Sequence, residues 1–363
     1  MSNLQKLYEE HGQSPWLDNV RRDWLLDGTV DRWLERGVRG ITSNPTIFQK
    51  AVAGGDTYDA QIGELAGQGR PVDEIYWEVV ITDVSAALDR FARLYADSNG
   101  GDGFVSLELA PDLARDTQGS IEAAKQFHAR ISRPNLLVKI PGTAEGIPAI
   151  RESIAAGRNI NITLLFSVER YGEVIEAYQA GLEQYGGDLS QVHSVASFFL
   201  SRVDTEVDRR LEAIGTGEAL ALRGKAAVAQ AKVAYQLFRD RFSTPRWHEL
   251  SERGARVQRP LWASTSTKNP EYSDLLYVDT LIGPDSINTM PEQTLDAFDD
   301  HGTLRRTIDT GVEDARTHLD RLAEMGIDME DVARTLEEEG VAAFAKSFDE
   351  MMSTVAAKAN ELS

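Results

Sequence analysis

Short apolar runs with a two-residue period alternate along this chain with longer stretches of helical period. The runs that read as strands are Pro15–Asp18, Val38–Asn44, Phe104–Leu109, Leu136–Pro141, Asn159–Phe166, Val192–Phe199, Arg259–Thr265 and Leu275–Leu281. Between them, Val20–Arg36, Asp73–Asp97, Gly119–Ile131, Glu145–Ala156 and Val168–Gln184 read as amphipathic helices. Asp204–Phe242 reads as further helix broken near Gly215-Thr216-Gly217, and the tail from Thr307 to Ser363 as helix broken at Gly326-Ile327-Asp328. Eight strand signals separated by helices predict a parallel (β/α)8 TIM barrel with additional N- and C-terminal helices. A doubly wound open sheet is the rival topology. With no fixed-period repeat and no low-complexity tract, residues 1–363 are expected to form a single barrel domain.

The predicted strands share a second pattern, polar residues on one face near the C-terminal end. Thr42 and Asn44 alternate with Ile41 and Ser43; Ser106 and Glu108 with Val105, Leu107 and Leu109; Asn161 and Thr163 with Ile160, Ile162 and Leu164. Ser197 falls in register with Val195 and Phe199. In Leu136–Pro141 one face carries Leu136, Val138 and Ile140 and the other Leu137, Lys139 and Pro141. If the apolar face packs on the outer helices, the face with Lys139 points into the lumen. Catalytic groups of such barrels collect at the C-terminal strand ends. A satisfied buried polar network is the plainer account of any one of these residues. Gathered on a lysine, the set reads as functional.

Lys139 is one of nine lysines and the only one set in an apolar strand. A charged amine is costly to bury, and the neutral amine is the form that attacks a carbonyl to give a Schiff base. The competing use is a lysine that reaches past the strand end to pair with a carboxylate or an anion.

Charge narrows the partners. Lys+Arg is 38 and Asp+Glu 58, a net charge of −20, which argues against nucleic acid or an anionic membrane surface. An anionic substrate then needs a locally basic pocket. There is no cysteine, so no thiolate nucleophile or thiolate metal site. The six histidines show no metal-binding spacing, and no metal is expected. No signal-peptide core or 18-residue apolar run is present, so a cytoplasmic protein without membrane contact is expected. Gly215-Thr216-Gly217 lies between helical segments, the wrong context for a dinucleotide loop, and Gly224-Lys225 opens an alanine-rich helix.

Two segments carry a family resemblance. Gly40-Ile41-Thr42-Ser43-Asn44-Pro45-Thr46-Ile47-Phe48 resembles the first transaldolase signature. Leu137-Val138-Lys139-Ile140-Pro141-Gly142-Thr143-Ala144-Glu145-Gly146-Ile147 resembles the second, which surrounds the Schiff-base lysine. They occur in the family's order and are followed by Asn161-Ile162-Thr163-Leu164-Leu165-Phe166-Ser167. The resemblance runs from Asp18 to the C-terminal helices. It implies a cytoplasmic transferase of the pentose phosphate pathway, a monomer or homodimer acting on sugar phosphates without cofactor. The implied reaction is sedoheptulose 7-phosphate plus glyceraldehyde 3-phosphate giving erythrose 4-phosphate plus fructose 6-phosphate, reversibly.

The resemblance also implies roles. Lys139 forms the imine. Asp18 exchanges a proton with the C4 hydroxyl during carbon–carbon cleavage; as an alternative it is a good helix N-cap. Glu108 and Thr163 hold a water that shuttles protons. Asn44, Asn161 and Ser197 bind the dihydroxyacetone hydroxyls, although Asn44 before Pro45 also suits a turn. Phe199 walls the pocket and Arg202 binds phosphate. Many family members carry Ser-x-Arg after the seventh strand as a second phosphate clamp. This chain reads Ala263-Ser264-Thr265-Ser266-Thr267-Lys268, so the serine is Ser264 or Ser266 and the cation Lys268, a point charge without a fork. A class I aldolase that releases free dihydroxyacetone and a non-catalytic sugar-phosphate-binding barrel are the other readings. Ala213–Ser251 takes no part in any of them.

Overall fold

Eight parallel strands close on one another in chain order in the computed structural model, which describes residues 1–362. They are β1 Gln13–Leu17, β2 Gly40–Ile41, β3 Phe104–Glu108, β4 Leu136–Pro141, β5 Ile160–Leu165, β6 Ser194–Phe199, β7 Arg259–Ala263 and β8 Ser286–Met290. β8 pairs with β1 from Gln13↔Ser286 to Leu17↔Met290, which shuts the barrel and removes the open-sheet alternative. The strands are buried on both faces, as a barrel jacketed by helices requires. At its N-terminal end the barrel is tied by Asp102, which accepts from Ser14 Oγ (2.8 Å), Arg39 Nε (2.6 Å) and an Arg259 nitrogen (3.1 Å).

The eighth strand is a correction. Leu275–Leu281 is not extended: it contains a short helix, Leu276–Asp279, in the connection between β7 and β8. Its apolar residues, Leu275, Tyr277, Val278 and Leu281, are buried all the same. Apolar content reported burial there, not backbone conformation. The true strand, Ser-Ile-Asn-Thr-Met, is mostly polar because its two faces have different polar uses: Thr289 turns into the lumen beside Thr42, while Asn288 turns outward, its Nδ2 donating to the Tyr277 carbonyl of the connection at 3.0 Å. β2 is also shorter than expected, because Asn44 already caps the helix Pro45–Ala53. That helix and its successor Asp59–Gly67 are additions to the predicted set. Val20–Arg36 divides at Gly28, in left-handed conformation, into Arg22–Leu26 and Thr29–Arg36.

The N-terminal extra helix is Asn3–His11, started by a Ser2/Gln5 capping box. The C-terminal tail divides into Val312–Glu324 and a final helix, Met329–Leu362, broken where the glycine at 326 suggests; Ser363 lies outside the described residues. The final helix packs on Pro45–Ala53 and Asp59–Gly67, with Thr46 and Ser347 hydroxyls 2.8 Å apart and Lys358 paired to Asp59. Gly340 lets it come close. A Cβ there would lie 3.0 Å from Leu164 Cδ2 and 3.5 Å from an Arg202 nitrogen. No helix of the described residues is long and apolar enough to cross a membrane.

Candidate active site

Strand register brings the polar positions together. Glu108 pairs with Lys139 between β3 and β4, and Lys139 with Asn161 between β4 and β5, so the three side chains project side by side. The Lys139 amine donates to Glu108 Oε2 at 3.0 Å and to the Ser43 carbonyl at 3.1 Å, with the lysine and glutamate side chains 5% and 4% exposed. Burial pushes the Glu108 carboxyl above the usual range, against the opposing pull of Lys139. A carboxyl so raised takes a proton from the neighbouring amine more readily than an exposed glutamate does. Its second oxygen, Oε1, is buried without a hydrogen-bonding partner among the described residues, and so is the Thr163 hydroxyl. Thr163 stands where β5 slips register against β6, between Ile162 and Leu165, beside Leu164 at φ 57°. A leucine with positive φ is strained, and such strain gathers at functional sites.

Asn161 is held by two neighbours and keeps its second amide N–H in reserve. It accepts from Ser197 Oγ at 2.7 Å and donates to Ser106 Oγ at 2.9 Å. Asp18 ends β1 and accepts from Thr42 Oγ1 at 2.6 Å; Thr42 in turn meets the Thr289 hydroxyl at 2.7 Å. Burial raises the Asp18 pKa, partly offset by Thr42, Lys139, Arg202 and Lys268. The helix-cap alternative for Asp18 is not realised, since the next helix starts after Arg21. Asn44 does cap its helix, Oδ1 accepting from Ile47 N at 3.1 Å.

One cavity of about 260 Å³ at the C-terminal strand ends is lined by Asp18, Asn44, Lys139, Ser197, Phe199, Arg202 and Ser264. Seven of the eleven sequence-predicted residues therefore face one space. Glu108, Asn161 and Thr163 are buried close by, and Lys268 is exposed and does not line the cavity. A larger groove of about 1080 Å³ runs over the outer helices past Arg151 and Arg241, away from these groups.

Arg202 opens the helix Ser201–Ile214 and has no ion-pair partner among the described residues. Its guanidinium lies 5.2 Å from the Phe199 ring and 5.9 Å from that of Phe344. Burial pulls its pKa down. Ser264 rather than Ser266 reaches the cavity; it holds φ 56° and its hydroxyl meets that of Ser201 at 2.7 Å. Ser266 instead accepts from the Lys268 amine at 2.8 Å. Partial desolvation, then the charges of Arg202 and Lys50, lower the Lys268 pKa. With Lys50, Lys139, Arg202 and Lys268 against Asp18 and Glu108, the region is basic in a chain of net charge −20.

Sequence reasoning missed Thr46, Ile47, Lys50, Thr289 and Phe344 as lining residues. Thr289 was out of reach once β8 was misplaced. Thr46, Ile47 and Lys50 carried a signal, three- and four-residue spacing after an Asn-Pro cap. Phe344 carried none, because nothing local tells which part of the barrel the last helix crosses.

Comparison with known proteins follows this geometry. The model of the family described as transaldolase/fructose-6-phosphate aldolase matches residues 15–355. The chain is 49% identical over 360 residues to the transaldolase of Thermobifida fusca, covering 98% of both chains. It is 51% identical over 346 residues to that of Mycolicibacterium smegmatis, covering 94% of this chain and 93% of the relative. The Mycobacterium tuberculosis transaldolase is 49% identical over 347 residues, at 94% and 93% coverage.

Proposed function

The chain belongs to the transaldolase/fructose-6-phosphate aldolase family, as a transferase of the transaldolase kind, and on that premise we propose that it moves a dihydroxyacetone unit from sedoheptulose 7-phosphate to glyceraldehyde 3-phosphate through a Schiff base on Lys139. One arrangement carries the reading. A buried amine and carboxyl 3.0 Å apart adjoin a pocket that is also lined by an unpaired arginine.

Lys139 gives a proton to Glu108 and attacks the donor ketone carbon. The unpartnered oxygens of Glu108 and Thr163 hold the water that returns protons as the carbinolamine loses its hydroxyl, leaving an iminium ion. Asp18 takes the C4 hydroxyl proton. The C3–C4 bonding pair flows into the iminium, giving an enamine on Lys139 and a free aldehyde. The acceptor aldehyde enters, the enamine carbon adds to it, and Asp18 returns its proton to the new hydroxyl. Water then releases the product ketone. Asn44, Asn161 and Ser197 orient the dihydroxyacetone hydroxyls. Arg202 takes the phosphate, with Ser264 and Lys268 beside it.

Transfer and simple aldol release share the enamine and differ in its fate. Release requires a proton on the enamine carbon, and the transfer reading makes that the slow step. Fructose 6-phosphate alone is expected to give about one glyceraldehyde 3-phosphate per site and then nearly stop. Erythrose 4-phosphate restarts turnover with formation of sedoheptulose 7-phosphate. Steady free dihydroxyacetone at the transfer rate, without acceptor, assigns the protein to the aldolase side of its family.

A further inference from the structure

Lys268 stands on an exposed connection, and among the described residues its amine bonds only to Ser266 two residues away. That bond does not account for how the connection is held against the helix that carries Arg202. The explanation lies on the helix that Arg202 opens. Asp204 and Asp208, one turn apart on Ser201–Ile214, are both buried and neither makes an ion pair among the described residues. Asp208 Oδ2 accepts from the Tyr272 hydroxyl at 2.6 Å and its Oδ1 from Gly224 N at 2.9 Å. Asp204 Oδ2 accepts from the Tyr277 hydroxyl at 2.7 Å and its Oδ1 from Ala227 N at 2.8 Å. Tyr272 and Tyr277 follow Lys268 in the same connection, and Thr267 Oγ1 ties that connection to itself at the Ser273 carbonyl, 2.7 Å. Gly224, at φ 71°, is the floor under Tyr272: a Cβ there would come within 2.6 Å of the ring carbon that bears the hydroxyl.

Two buried carboxylates without a counter-ion are costly unless every oxygen is used, and here every oxygen is used. Two of the four bonds go to the connection that carries Lys268. The other two go to the 224–227 turn, part of the stretch for which the sequence offered no role. We propose that Tyr272 and Asp208, with Tyr277 and Asp204 behind them, are positioning residues: they clasp the Lys268 connection to the Arg202 helix, fix the distance between the two cations, and so set the preference for a phosphorylated over an unphosphorylated sugar. The inference rests on the proposed phosphate role of Arg202 and Lys268.

Tyr272→Phe keeps the ring on Gly224 and removes only the hydroxyl. It is expected to raise KM for fructose 6-phosphate about fivefold, with kcat and the kinetics of unphosphorylated fructose little changed. Tyr277→Phe acts in the same direction. In a Lys268→Ala background Tyr272→Phe should add less than twofold, since the charge it places is already gone. Equal losses for both sugars, or the full effect persisting without Lys268, would show a purely structural bond and overturn the proposal. A wild-type enzyme with no preference for the phosphorylated sugar would sink the underlying phosphate reading as well. A wild-type preference that survives Tyr272→Phe unchanged sinks the clasp alone.

Discussion

Glu108 offers one carboxylate oxygen to the Lys139 amine, at 3.0 Å, and leaves the other buried and unpartnered. One group thus touches both the proposed nucleophile and the place where the proposed mechanism needs a proton carrier. Borohydride reduction with fructose 6-phosphate should add a single three-carbon unit to the peptide containing Lys139. Lys139→Met, which keeps the aliphatic stem, should fold and show no adduct. Glu108→Gln should still form the adduct but slow its appearance by about 10²–10⁴-fold. An adduct on another lysine ends the mechanism.

Asp18 acts later. Its hydrogen bond to Thr42 positions it, and its distance in sequence from any helix start leaves it no capping duty. Asp18→Asn is expected to trap the donor on Lys139 at close to the normal rate while carbon–carbon cleavage falls by about 10²–10⁴-fold. Rapid-quench measurement of glyceraldehyde 3-phosphate separates the two steps. Cleavage at the normal rate removes Asp18 from the mechanism.

Arg202 and Lys268 should differ in degree. Arg202→Ala is expected to raise KM for fructose 6-phosphate by about 10–100-fold, the scale of a lost charged hydrogen-bond pair, with little change for unphosphorylated fructose. Lys268→Ala should act in the same direction more weakly, because an exposed ammonium is screened and offers no fork. Equal losses for both sugars would mark these residues as supports of the fold.

His193 gives a pH signature far from the chemistry. It is buried between Tyr95 and Phe104, and burial pushes its imidazole down from 6.5 to about 3. On acidification the unfolded chain therefore takes up the proton first. Stability from this group is full above pH 6.5 and is lost as the pH falls toward about 3. The loss is about 2 kcal/mol between pH 7 and pH 5. Asp204, raised by burial to about 6, works in the opposite sense, losing stability as pH rises through that value. Urea midpoints of wild type and His193→Phe at the two pH values isolate the histidine. The variant should lose less on acidification, and identical losses refute the assignment.

The fold was legible where each strand kept a strict two-residue alternation between helix and lumen. β4 was placed to the residue, and the lumen face of Glu108, Lys139 and Asn161 followed from periodicity alone. β8 was not legible, because Ser286 and Asn288 turn outward to bond carbonyls of the preceding connection and Thr289 turns into the lumen, while the apolar Leu275–Leu281 run is buried as helix and turn. Side chains that reach the site from strands were found because register carries them there. Lys50 and Phe344 arrive on helices packed over the barrel mouth, and that packing is a tertiary fact. The resemblance of two short segments supplied the roles; the register of the strands supplied the neighbours.

Phe344 reaches the pocket from a helix that begins at Met329, well after β8 has ended at Met290. On the ribosome, all eight strands emerge before the residue that completes the aromatic sandwich around Arg202. A nascent chain can therefore close its barrel, with Lys139, Glu108 and Asp18 already assembled, while its arginine rests on Phe199 alone. A chain clipped before Phe344 would keep Lys139, Glu108 and Asp18 in place on the barrel and lose one of the two rings beside Arg202.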